Sequence, residues 1–328
     1  MGDLHKSTAC AGIIVVVLIL ACWGALAAEQ LTIGFVPRSL GNPIFLDAFE
    51  NAHQKALELG VRVEWLAPFD FSTEGQLAVI ESLIEQGVDG IVVSVNDVPE
   101  IQAAIQRALA QGIPVITFDA DSPGSGRLFH IGIDNFKAGW EAGAALVDIV
   151  RARGMDKQHL TAVIMTGEPD ALNLVQRIDG FFTAIGGKLD LQVDEVLHNQ
   201  DNVDLAIIMV EDYLKQNPDV DVFFFVGGWP FYVPSDAMPA FKQWAHAGGI
   251  AVGIDIFYDA LLLLRDGVLQ YLVGQDMASM GALGVELLVD YLRTGRLPGT
   301  DFVEVGLTYA SQENLQELLQ IYEPWLVK

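Results

Sequence analysis

"LTIGFVPRSLGNPIFLDAFENAHQKALELG", residues 31–60, reads as a buried strand, a turn and an amphipathic helix closed by Gly60. LTIGFV is a short apolar run, and LDAFENAHQKALELG carries its apolar residues at helical spacing. Between them, Gly41, Asn42 and Pro43 admit two readings. Asn before Pro is an ordinary helix start, because Pro at the first helical position wastes no donor and Asn caps the first free amides. The same residues stand beyond the end of a strand, where open α/β sheets bind ligands. There Asn42 offers an amide and Phe45 a ring face to a crevice.

The unit repeats along the chain. Strands are predicted at 31–36, 61–66, 90–95, 114–119, 128–133, 160–167, 191–197, 221–227, 251–255 and 271–275, with helical stretches between them. TEGQ at 73–76 is a capping box, and Gly60, Gly87 and Gly112 each close a helix before the next strand. This alternation is the pattern of βαβ units in a mainly parallel sheet. So many strands exceed one compact doubly wound domain, and no long Ser- or Pro-rich linker separates the halves. Two α/β lobes joined by short crossovers are expected.

Composition narrows the partners. The 328 residues are 52% hydrophobic and 19% charged, enough to bury two medium cores. Eighteen basic against 43 acidic residues give a formal charge of -25, a field that repels phosphate backbones, so nucleic acid is not an expected partner. The opening residues differ from the rest. A short polar start with Lys6 precedes AGIIVVVLILACWGALA, and ALA at 25–27 fits a small-x-small cleavage site, so 1–27 reads as a signal peptide. The alternatives are a retained membrane anchor and lipidation at Cys22, from a loose lipobox in ILAC. Both cysteines, Cys10 and Cys22, lie in this segment, so a chain cut after Ala27 carries no thiol for a disulfide, a nucleophile or a metal site.

Candidate ligand contacts lie just past the strand ends: Arg38 and Asn42, Ser94, Asp119 and Asp121, Arg177, Trp229, Asp255 and Gln275. Carboxylates accept two hydrogen bonds, Arg donates a fork, and Asn and Gln do both. A polyhydroxylated ligand needs this mixture, since each buried hydroxyl donates and accepts, while Phe45 and Trp229 offer rings to its C–H faces. Singly, each Asp or Asn here reads equally as a cap or turn former. No phosphate loop, dinucleotide fingerprint, nucleophile elbow or zinc-helix motif occurs, and the six histidines are scattered. Asp119 and Asp121 as a glycosidase pair are the enzymatic alternative; no enzyme, cofactor or metal is expected.

GNPIF (41–45), GVDGIVVSVNDVPEI (87–101), GIPVITFDADSPGSGRLFHIGIDNFKAG (112–139), QRIDGF (176–181), VGIDIFYDALLLLRDG (252–267) and VGQDMASMG (273–281) together resemble the type I periplasmic sugar-binding proteins, the ribose-binding-like substrate-capture components of ABC transporters. The resemblance implies two doubly wound, Rossmann-like lobes joined by three crossover strands, closing on a sugar by hinge motion. It implies lobes at 28–134 with about 276–304, and about 135–275 with 305–328. Asn42 and Phe45 become first-lobe contacts, Asp119 a hydroxyl acceptor, Arg177 a second-lobe fork, and Asp255 and Gln275 contacts near the crossovers. The ligand implied is a small neutral sugar or polyol, and the partner a membrane permease with its ATPase, served by a monomer outside the cytoplasm. A module presenting its ligand to a chemoreceptor or sensor kinase is the alternative; a LacI-type repressor would need a helix-turn-helix where this chain has its export signal. Ile44, Arg38, Ala120 and GGWP at 227–230 depart from the ribose type, with Trp229 expected to close the pocket from the second lobe.

Overall fold

The computed structural model describes residues 30–234 and 236–322. The predicted signal peptide, its cleavage site after Ala27 and Cys22 lie outside the described residues. The strands are β1 (Thr32–Val36), β2 (Arg62–Trp65), β3 (Gly90–Val93), β4 (Val115–Phe118), β5 (His130–Gly132) and β6 (His159–Thr166). They continue with β7 (Asp190–His198), β8 (Val222–Phe225), β9 (Ile250–Ile254), β10 (Tyr271–Gln275), β11 (Phe302–Glu304) and β12 (Leu307–Ala310). The helices that bear on the site are α1 (Leu46–Leu59), α2 (Thr73–Gln86), α3 (Val98–Ala110), α4 (Asn135–Ala152), α5 (Leu172–Ile185) and α6 (Val203–Gln216). They are followed by α7 (Pro239–His246), α8 (Tyr258–Arg265), α9 (Met277–Thr294) and α10 (Leu315–Tyr322).

Two six-stranded sheets result. The first runs β11-β5-β4-β3-β1-β2, with every pairing parallel; the second runs β12-β10-β9-β8-β6-β7, in which β12 alone is antiparallel. β3, β4, β8 and β9 are buried at every residue, as parallel strands with helices on both faces must be. This is why GIVV, VITF and VFFF read as continuous apolar runs rather than alternating ones. The chain passes between the sheets three times: from β5 into α4, which packs on β9 and β10; from β10 into α9, which packs on α1; and from β11 into β12.

All ten expected strands are present, to within two residues at each end. β11 and β12 are additional: they are three and four residues long and half-exposed, so they carry no apolar run to betray them. The cap of α2 is also corrected. Ser72, not Thr73, is the capping residue, its Oγ accepting from Gly75 N at 3.0 Å.

Backbone-to-backbone contacts fix the helices next to the cleft. A Cβ on Gly139 of α4 would fall 1.8 Å from the Arg177 carbonyl oxygen of α5, and one on Gly180 would fall 1.9 Å from the Phe136 oxygen. Only glycine permits this approach, which sets the height of Arg177 above the second sheet. In the first lobe, Gly281 of α9 meets the Ala48 carbonyl of α1 in the same way.

Candidate binding site

Between the two sheets lies a cavity whose unfilled space, mouth included, is ≈ 380 Å³. Arg38, Asn42, Ile44, Phe45 and Asp119 line it from the first lobe. Asn173, Leu174, Arg177, Asp201, Gly227, Trp229, Tyr232, Asp255 and Gln275 line it from the second. The space in it open to a water-sized molecule is only ≈ 30 Å³, so the lobes stand nearly closed on it, and its walls carry several polar side chains that can converge on one ligand.

The opening turn caps its helix start and lines the cavity. Pro43–Phe45 form a single 3-10 turn capped by Asn42, whose Oδ1 accepts from Ile44 N at 3.2 Å. That leaves the NH2 group of Asn42 without a partner among the described residues, on a residue that lines the cavity. Phe45 is 5% exposed and packs edge-on against Phe118, its centroid 6.0 Å away.

Asp119 follows β4 on left-handed backbone, φ 56°. Its Oδ2 accepts from Ser94 Oγ at 2.7 Å, and its other oxygen has no partner among the described residues. Burial raises its pKa above the ordinary carboxylate value, against the opposing pull of Arg177, Arg38 and the Ser94 hydrogen bond.

The second lobe contributes a continuous relay. Arg177 Nε donates to Asn135 Oδ1 (2.8 Å), one terminal nitrogen to the Val226 carbonyl (3.1 Å) and the other to Gln275 Oε1 (2.8 Å). Gln275 Nε2 donates to Asp255 Oδ1 (2.7 Å), and Asp255 Oδ2 accepts from Gly228 N (2.7 Å). These bonds fix a buried cation and a buried anion while leaving the guanidinium two further N–H groups. Desolvation lowers the Arg177 pKa, and Asp255 and Asp119 oppose that.

The aromatic side is shaped by glycines. A Cβ at Gly227 would lie 2.8 Å from the Trp229 ring, and one at Gly167 3.1 Å from it, so these two glycines make room for the indole to fold back over the strand end, while Gly228 makes room for Phe257 and Asp255. Tyr232 stacks on Phe257, centroids 3.8 Å apart and rings nearly parallel, and burial holds its phenol protonated, far above its ordinary pKa. Arg38 reaches across to Asp201, Nη2 to Oδ2 at 3.1 Å, with its guanidinium carbon 4.9 Å from the Phe71 ring centroid.

Eight of the ten candidate residues thus line one cavity: Arg38, Asn42, Phe45, Asp119, Arg177, Trp229, Asp255 and Gln275. Two do not. Ser94 is fully buried behind Asp119, which it orients. Asp121 lines the neighbouring spaces instead, one of them shared with Asp119, and Arg127 grips it with two bonds of 2.6 Å while Thr117 Oγ1 adds a third. The arrangement disfavours the glycosidase pairing with Asp119, since Asp121 is committed to an ion pair with Arg127 in its own loop. Asn173, Asp201 and Tyr232 were not foreseen. Among the described residues, no group of three histidines or carboxylates is placed to hold a metal ion, and no helix is long and apolar enough to cross a membrane.

Two α/β lobes connected by three crossovers, with a polar and aromatic cavity between their strand ends, define a two-lobed ligand-binding protein. The chain belongs to the periplasmic binding protein family, whose domain model matches residues 33–296. The ribose import binding protein RbsB of Bacillus subtilis is 26% identical over 274 residues, covering 83% of this chain and 85% of that protein. The D-allose-binding periplasmic protein of Escherichia coli is 24% identical over 289 residues, covering 83% and 88%. Among solved structures, an ABC transporter solute-binding protein from Burkholderia graminis, in complex with D-arabinose, superposes with a TM-score of 0.77 at 26% identity, covering 88% of this chain and 97% of that one.

Proposed function

We propose that the chain captures a small neutral sugar or polyol in the interlobe cavity and delivers it, chemically unchanged, to the membrane permease of an ABC importer. The observation that carries this reading is the pairing of Asp119, with an oxygen to spare, and the Arg177–Gln275–Asp255 relay across a space flanked by Phe45 and Trp229. Hydroxyls need acceptors and donors at once, and sugar C–H faces need rings. Relatives named for ribose and allose binding, and a solved relative in complex with D-arabinose, support the same ligand class.

On this reading the lobes divide at 28–134 with 276–304 and at 135–275 with 305–328, and they close about the three crossovers. Family membership supports an exported location, with 1–27 as the signal peptide or Cys22 as a lipid anchor, and the protein acts as a monomer. Phe136 and Trp140 on α4 and Leu172 and Val175 on α5 are half-exposed apolar side chains on two helices that pack against each other beside the cleft, the face we assign to the permease. The test is a thermal-shift screen of the whole chain against pentoses, hexoses, deoxy sugars and polyols. A ligand at about a hundred times its Kd adds roughly 2.7 kcal/mol of stability. A shift with one sugar class and no turnover of it supports capture; silence across the panel removes the sugar reading.

A further inference from the structure

Four of the residues around the cavity carry buried polar atoms with no hydrogen-bond partner among the described residues: Arg38 Nε and Nη2, Asn173 Oδ1, Asp201 Oδ2 and Tyr232 Oη. Buried polar groups are nearly always satisfied, so a concentration of orphans at one cavity marks where an outside molecule supplies the partners. Arg38 and Asp201 are the sharpest case. Their side chains are 6% and 5% exposed, and they come from opposite lobes. Yet the pair is loose: Nη1 reaches Oδ1 at 3.4 Å, and Nη2 lies 3.1 Å from Oδ2 without the alignment of a hydrogen bond. The same chain shows what a committed pair looks like, in the two 2.6 Å bonds from Arg127 to Asp121.

We propose that Arg38 and Asp201 together read one hydroxyl of the ligand, which accepts from the Arg38 guanidinium and donates to Asp201 Oδ2. The inference rests on the sugar-capture reading and deepens it by naming the groups that set specificity. A carboxylate or phosphate at this point would suit Arg38 but meet Asp201, with Asp119 and Asp255 on the same cavity. An ammonium would suit Asp201 but meet Arg38, with Arg177 on the same cavity. A hydroxyl satisfies both partners without adding charge. Arg38 is held for the task by the Phe71 ring and by Asn96, whose Nδ2 donates to the Arg38 carbonyl at 3.1 Å. The site therefore favours a neutral sugar over its acid or amino counterpart at that position.

The experiment is titration calorimetry on the full chain and on Arg38→Met, Asp201→Ala and the double variant, which strands no buried charge. The probes are D-ribose, D-arabinose, D-allose and D-xylose, followed by the monodeoxy analogues of whichever binds. The expected result is a loss of at least tenfold in each variant for the parent sugar, and no loss for one monodeoxy analogue, the same one in all three variants. Retained binding of that analogue also shows that the variants fold. A uniform loss across all analogues would mean that the pair only holds the lobes together, and unchanged affinity would mean that it does not touch the ligand; either overturns the proposal. If the unaltered chain binds none of the four sugars, the capture reading fails first and this inference falls with it, a result visible before any variant is made.

Discussion

Asp119 and Asp255 occupy the same position in the two lobes: each follows the central strand that precedes a crossover-side neighbour, and each sits on left-handed backbone, φ 56° and 84°. Asp119 N donates to Ile131 O at 3.0 Å and Asp255 N to Val273 O at 2.7 Å, so each strand keeps its last ladder bond while its carboxylate turns toward the cavity. A non-glycine residue with positive φ is uncommon, and two at equivalent strand ends in one site associate the strain with ligand binding.

Replacing either aspartate by alanine is expected to remove detectable sugar binding. Each loss strands ligand hydroxyls or, at Asp255, also Gln275 Nε2 and Gly228 N, at about 1 to 3 kcal/mol per unsatisfied group. Calorimetry on the two variants checks this, with far-UV circular dichroism to show that they are folded.

Asp119→Asn separates stability from function. Burial raises the Asp119 pKa, so folding is favoured in full below its unfolded value of 3.8 and loses ground as pH rises through the folded value. The asparagine variant is expected to melt above the parent at pH 7, with the gap closing below pH 3.8 as both side chains become neutral. Melting curves from pH 3 to pH 7 decide it; a variant that melts lower throughout contradicts the account.

His130, stacked on Phe302 of β11, sets an opposite acid response. Burial pushes its pKa down from 6.5 to about 4, against the attraction of Asp121. The unfolded chain therefore takes up this proton first, and stability is lost as pH falls from 6.5 toward about 4, by roughly 3 kcal/mol in total. His130→Gln is expected to flatten that part of the stability curve, as measured by urea unfolding at several pH values. An unchanged slope would show that His130 does not carry the effect.

Gly139→Ala tests the placement of Arg177. The added methyl cannot share space with the Arg177 carbonyl, so α4 and α5 must part, at a cost of roughly 1 to 3 kcal/mol or more. A lower melting temperature together with weaker sugar binding is expected. Lower stability with full affinity would mean that Arg177 tolerates the shift.

The fold was legible because parallel strands are buried on both faces, and runs such as GIVVSV and DVFFFVG stand out between helix caps. The site was legible where a polar residue directly follows such a strand, as Asp119 and Asp255 do, or ends one, as Gln275 does. It was illegible where geometry is long-range. Asp201 sits in the turn HNQDN, where Gln200 and Asp201 both take positive φ, and the sequence there reads as loop alone; its partner Arg38 is 163 residues away. Asn173 reads as a helix-start residue and Tyr232 as the tail of GGWPF, with nothing local to show that both line the cavity. Asp121 misled for the converse reason, since its strand-end position looks like that of Asp119 although Arg127 and Thr117 hold it outside the interlobe cavity.

The central claim is that a neutral sugar is held between Asp119 and the Arg177–Gln275–Asp255 relay. Titration calorimetry of the whole chain with D-ribose, D-arabinose, D-allose and D-xylose, repeated on Asp119→Ala and Asp255→Ala, tests it most directly. The account predicts saturable one-to-one binding of at least one of these sugars, unchanged on recovery, and its loss in both variants. Binding that survives both substitutions, or no heat from any of the four, would contradict it.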